Sequence, residues 1–128
     1  AYVSNKVGNK VDSWKLYKEA LISDFTDIQG GTTGEGIHTG VMAGTVLVAL
    51  RSFAGVDIKN GMLYISPNMP EHWEDIRFNI GLSSDRIFFN VTAKKIELKM
   101  EGVSEKILVK IKGENYNLFK EQKLIITF

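Results

Sequence analysis

Near Gly55 the apolar residues of this 128-residue chain change their spacing, and that change limits what the chain can fold into. Before Gly55 they recur at helical spacing. Trp14, Tyr17 and Leu21 fall on one face, with Leu16 and Ala20 beside it. After Gly55, apolar and polar residues alternate, as in a strand with one buried face. A helical part followed by a strand part predicts an α+β chain, divided into residues 1–55 and 56–128.

In the first part, Asp12 or Ser13 is the expected N-cap of a helix ending near Asp24. Four glycines then occur within seven residues: Gly30, Gly31, Gly34 and Gly36. A helix interior does not accommodate that density of glycine, so residues 29–36 read as an ordered loop. A second helix is expected from Glu35 or Gly36 to Phe53, with Gly55 as its stop. Its Val41, Met42, Ala43, Val46, Leu47, Val48, Ala49 and Leu50 are apolar almost all round. Such a helix is buried on most sides. Gly40, Ala43 and Gly44 let neighbouring backbones come close. Two helices cannot satisfy one that needs partners on every face, so the helical part is expected to belong to a larger bundle.

In the second part, residues 56–59 and 62–65 flank Asn60-Gly61, the signal for a hairpin with a two-residue primed turn. Pro67 to Pro70 form a loop. Further strands are expected at 76–80, 86–92, 96–100, 106–112, 116–118 and 124–128. Lys106, Leu108, Lys110 and Lys112 alternate with Ile107, Val109 and Ile111. Short strands at this spacing predict an antiparallel β-sandwich.

Lysine and arginine number 16 against 15 aspartates and glutamates. That balance gives no field to draw nucleic acid or a membrane surface. No apolar run approaches the roughly 18 residues of a membrane span, and no signal peptide is visible. The chain has no cysteine, which excludes disulfides, thiol nucleophiles and thiolate metal sites and fits a reducing cytoplasm. Its two histidines, His38 and His72, are too far apart in sequence to imply a metal site. Asn90-Val91-Thr92 matches a glycosylation sequon, a triplet that often arises by chance.

Chemistry concentrates between Gly30 and His38. Loop glycines admit a ligand close to the backbone. Thr32 and Thr33 offer hydroxyls, and the amides at the following helix start favour an anion. His38 adds a neutral or charged donor. The competing structural reading is a tight turn, a capped helix and a buried histidine. Glu35 reads as a first-turn acid that stabilises the helix start rather than as a general acid. Asp24 and Asp27 read as capping or solubilising groups. His72 sits in a loop anchored by Trp73. The strand lysines form a solvated face, and Phe88, Phe89 and Tyr116 are core residues rather than stacking platforms.

Thr33-Gly34-Glu35-Gly36-Ile37-His38, within residues 27–45, resembles the late motif of glycoside hydrolase family 65. Phe53-Ala54-Gly55 resembles the family's helix exit, and Gly61, Leu63, Pro67, Pro70 and Trp73 follow its later pattern. Upstream, Tyr17 and Asp24-Phe25 resemble the preceding helix. The resemblance covers residues 12–82; beyond them only the strand pattern agrees. It implies the last helices of an (α/α)6 barrel followed by a C-terminal β-sandwich. It also implies an inverting phosphorylase of α-linked glucose disaccharides such as maltose, trehalose or kojibiose. A carboxylic acid protonates the leaving oxygen while inorganic phosphate attacks from the opposite face. The acid is expected upstream of this stretch, so no catalytic residue is assigned here. By the same resemblance His38 lines the phosphate site, with Thr32, Thr33 and Gly34 beside it. No cofactor or metal is implied; phosphate is the co-substrate. The expected partners are the disaccharide, phosphate and the rest of the catalytic chain, with homo-oligomers possible. Thr45-Val46 stand where many members carry a bulky pair, which leaves the disaccharide open. A related hydrolase and a non-catalytic carbohydrate-associated β-module are the alternatives.

Overall fold

The computed structural model describes residues 1–26, 30, 34 and 36–128. They form two compact units, Ala1–Phe53 and Ala54–Phe128.

The first unit holds α1 (Tyr2–Lys6), α2 (Lys10–Ile22) and α3 (Thr39–Val48), the last continued by a π-helical turn, Ala49–Phe53. Helix α2 starts earlier than Asp12 or Ser13 would place it. The Asn9 side chain is the cap and accepts from the Asp12 amide at 3.1 Å. Ser13 is instead fully buried within α2, its hydroxyl donating to the Ala1 carbonyl. Helix α1 carries too short a pattern for periodicity to reveal. Tyr17 and Phe53 are buried edge-to-face, ring centroids 5.0 Å apart, and Trp14 completes the aromatic cluster. Burial raises the Tyr17 phenol above its ordinary pKa. The side-chain amide of Asn5, itself buried, donates to the Ser52 carbonyl at 2.8 Å in the π-helical turn.

Helix α3 departs from expectation twice. It begins at Thr39, not at Glu35 or Gly36, because Gly36 takes a left-handed backbone (φ +98°) that helical geometry excludes. It is also not enclosed. Thr45 is its one buried residue, while Val41, Val46 and Leu47 are exposed. The other helices among the described residues of this unit, α1 and α2, are too few neighbours to cover a helix that is apolar on every side.

The second unit is a β-sandwich of two four-stranded sheets. One sheet has the order β1 (Val56–Lys59), β2 (Met62–Ile65), β6 (Lys106–Ile111), β7 (Glu114–Phe119). The other has the order β3 (Asp75–Leu82), β4 (Asp85–Thr92), β5 (Lys95–Glu101), β8 (Lys123–Thr127). Leu63, Ile65, Val109, Ile111 and Leu118 from the first sheet meet Ile87, Val91, Ile96, Leu98 and Met100 from the second. Phe78 and Phe89, directly opposite on β3 and β4, stack at 4.5 Å. The expected hairpin is present. Asn60 and Gly61 both have positive φ, and Val56 pairs with Ile65. Trp73 packs against the core and so ties down the loop before β3.

A purely antiparallel sandwich is not what forms, because β2 and β6 run parallel. The three intervening strands build the opposite sheet and reverse direction at each turn. The chain then returns to the first sheet with β6 pointing as β2 does. Asn90 lies mid-strand in β4, between β3 and β5, with its Oδ1 buried. That is a paired strand and not the surface loop a glycan acceptor requires.

Candidate functional site

Helix α2 ends at Ile22, and Ser23 and Thr26 turn their hydroxyls back onto the Ala20 and Ile22 carbonyls. This closing turn presents Asp24. One carboxylate oxygen of Asp24 accepts the His38 backbone amide at 2.6 Å; the other lies 3.0 Å from His38 Nδ1. The Asp24 side chain is 5% exposed and that of His38 42%, so the aspartate is the buried anchor and the imidazole the open group. A carboxylate only accepts hydrogen bonds, so Nδ1 carries the hydrogen. Nε2 meets no hydrogen-bond partner among the described residues.

His38 is also the N-cap of α3, and its carbonyl accepts from Val41 and Met42 at 2.9 and 3.1 Å. Its side chain, held by Asp24, makes no capping bond, and α3 has no acidic residue in its first turn. Glu35, expected as a first-turn acid, lies outside the described residues, and α3 begins at Thr39. Among the described residues no side chain caps the first amides of α3, which with the helix dipole leaves this end attractive to an anion. An open imidazole nitrogen beside such a helix start can contact a phosphate oxygen.

Of the residues expected at the site, His38 is half-exposed at the helix start and Gly34 is exposed in the loop before it. Thr32, Thr33 and Glu35 lie outside the described residues, as does Asp27. The sequence reading gives Asp24 a capping or solubilising role and a place in the family resemblance, and misses it as the partner of His38.

The sandwich has a cavity of about 350 Å³ between its turns, lined by Asn60, Leu82, Ser83, Asp85, Ser104 and Leu108. Its carboxylate is already engaged, for Asp85 Oδ1 accepts the Val103 and Ser104 amides at 2.8 and 2.9 Å. His72 is exposed in the loop before β3. Among the described residues no cluster of three or more histidines and carboxylates is placed to hold a metal. No helix among them is long and apolar enough to cross a membrane.

The described elements are helices followed by a β-sandwich of two sheets. Residues 56–118, nearly the whole β unit, match the family model described as "Glycosyl hydrolase family 65, C-terminal domain". The chain is 39% identical over 79 residues to the trehalose 6-phosphate phosphorylase of Lactococcus lactis subsp. lactis, covering 62% of this chain and 10% of that protein. It is 28% identical over 123 residues to the alpha,alpha-trehalose phosphorylase of Geobacillus stearothermophilus, covering 96% of this chain and 16% of that protein. A solved structure titled as a putative kojibiose phosphorylase from human microbiome matches 99% of this chain and 17% of its own, with a TM-score of 0.84 at 23% identity. The chain belongs to glycosyl hydrolase family 65 and carries its C-terminal domain. It spans only 10% and 16% of the two curated relatives.

Proposed function

We propose that this chain is the C-terminal part of an inverting phosphorylase of α-linked glucose disaccharides. The sandwich is its structural closing domain, and the three helices are the last wall of an (α/α)6 barrel. The loop before α3 contributes to the phosphate site through His38, with Thr32, Thr33 and Gly34 beside it. The observation that carries this reading is that, among the described residues, His38 Nε2 has no hydrogen-bond partner and no side chain caps the start of α3. Names of relatives add support, since trehalose, kojibiose and maltose phosphorylases are among them.

The chemistry fits such a division of labour. Phosphate is already an anion and needs no base to activate it, so the protein gains most by positioning it. His38 orients one phosphate oxygen, and the first amides of α3 stabilise its charge. The acid that protonates the leaving oxygen comes from elsewhere in the longer protein. No cofactor is required, and phosphate enters as co-substrate in a cytoplasmic setting.

The test is turnover of α-linked glucose disaccharides by the longer protein, with and without phosphate. Phosphate-dependent release of glucose 1-phosphate is expected. His38→Ala is expected to raise the KM for phosphate by about 10–100-fold, as loss of one hydrogen bond to a charged group implies. Equal sugar release without phosphate would make the protein a hydrolase. An unchanged KM for phosphate would return His38 to a structural role.

A further inference from the structure

We propose that Asp24 is the positioning residue of the phosphate-binding histidine. It fixes the plane and the hydrogen position of the His38 ring by holding its main chain and its Nδ1 at once. The inference rests on the phosphate reading of His38 given above.

Three observations carry it. First, the two oxygens of one carboxylate engage one residue at two points, 2.6 Å at the backbone amide and 3.0 Å at Nδ1. The amide contact fixes the carboxylate relative to the His38 main chain. Its second oxygen then meets Nδ1 at a set point, which restrains how the ring turns about its side-chain bonds. Second, Asp24 is the buried partner and His38 the exposed one. A surface ion pair formed only by attraction between charges would expose both groups. This asymmetry suits an aspartate that stands behind a histidine and aims it. Third, the pairing takes hydrogen-bonding capacity from Nδ1 and leaves Nε2 open among the described residues.

The ring's chemistry toward phosphate follows. With Nδ1 hydrogen-bonded to the carboxylate, a neutral ring offers the Nε2 lone pair, which accepts the hydroxyl of monohydrogen phosphate. A protonated ring offers Nε2–H, which donates to a phosphate oxygen. In both forms the contact is made by Nε2, in a direction Asp24 sets. A carboxylate behind the ring also keeps its own negative charge one ring-width away from the incoming anion. Outer partners of this kind hold a histidine in one tautomer and one orientation.

The experiment is steady-state kinetics of the longer protein in inorganic phosphate, for wild type, Asp24→Asn, His38→Ala and the double variant. In Asp24→Asn the amide oxygen can still accept the His38 backbone amide. The NH2 that replaces the second oxygen cannot accept from Nδ1. A rise of about 10-fold or more in the KM for phosphate is expected, the low end of what loss of an orienting partner costs. The kcat at saturating phosphate, the KM for the disaccharide and the melting temperature should change little. Adding Asp24→Asn to His38→Ala should raise the KM no further, because a residue that acts through the ring has no effect once the ring is gone. Asp24→Glu, which restores a carboxylate, should recover part of the loss. If His38→Ala raises the KM but Asp24→Asn leaves it unchanged, the positioning role is overturned and the phosphate reading stands. If His38→Ala has no effect, the phosphate reading falls, and this inference with it. Should Asp24→Asn lower the melting temperature sharply, the double variant decides. Additive effects on KM would mean that Asp24 serves the fold and not the ring.

Discussion

A methyl group added at Gly55 would fall on the carbonyl oxygen of Ser66, and the backbone there has φ +68°. Gly61 has a similar φ, +74°, but open space around it. The two glycines therefore separate backbone strain from collision. Gly61→Ala should cost about 1 kcal/mol, the strain of a left-handed alanine. Gly55→Ala should cost at least about 3 kcal/mol, since the Ser66 amide also bonds the Gly55 carbonyl and resists displacement. Urea denaturation of both variants measures the difference; equal losses would mean that the Ser66 strand end yields easily. Asp85 gives a prediction in pH. Its carboxyl sits below the ordinary carboxylate range, chiefly through the hydrogen bond from the Ser104 side chain, helped by the amides of Ser104 and Val103 and the charge of Lys120. A depressed folded pKa gives stability that is complete above the ordinary value of about 4 and lost as pH falls through the folded value. Asp85→Asn should be less stable than wild type at neutral pH, and the two denaturation curves should converge in acid. A gap that stays constant to low pH would assign the loss to packing. At this scale the sequence revealed residue types but not their partners. His38 is conspicuous at a helix start. Asp24 is not, because it stands 14 positions away across a glycine-rich segment, which no periodicity crosses.

Elements were legible where their pattern is local. The hairpin at 56–65 follows from Asn60-Gly61, since both positions need positive φ and those residues supply it at low cost. The other strands show through their alternation, to within a few residues at each end. Helix starts were less legible, because a cap is one hydrogen bond and not a period. Asn9 precedes the first apolar residue of α2 by two positions, and Gly36 delays α3. The apolar circumference of α3 was plain from composition, yet burial belongs to neighbours and not to the helix. This gives a prediction for the 128-residue chain on its own. Exposed Val46 and Leu47 should drive self-association. Leu47→Lys should shift sedimentation toward the monomer. If the oligomers persist, another surface makes the contact. In the longer protein of the proposed function, the same substitution should impair folding, for there α3 would be covered.

At the scale of the whole molecule, the two units reflect the two periods of the sequence, with the division at Phe53 and Ala54. The class of each unit was readable. The pairing of sheets was not, because alternation tells a strand which face to bury and says nothing of which strand lies beside it. The parallel ladder between β2 and β6 also sets an order of events. Leu63 must find Val109, forty-six positions further on, whereas β3, β4 and β5 meet through short turns. Closing the long loop costs entropy before any contact repays it. The meander of β3 to β5 can therefore assemble early, while the first hairpin waits with one edge unpaired. Only when β6 has left the ribosome does that edge find its neighbour. A nascent chain halted before Lys106 would hold bare edges at β2 and β5 and a core still lacking Val109, Ile111 and Leu118, the state in which such a sandwich is most exposed to pairing with the wrong strand.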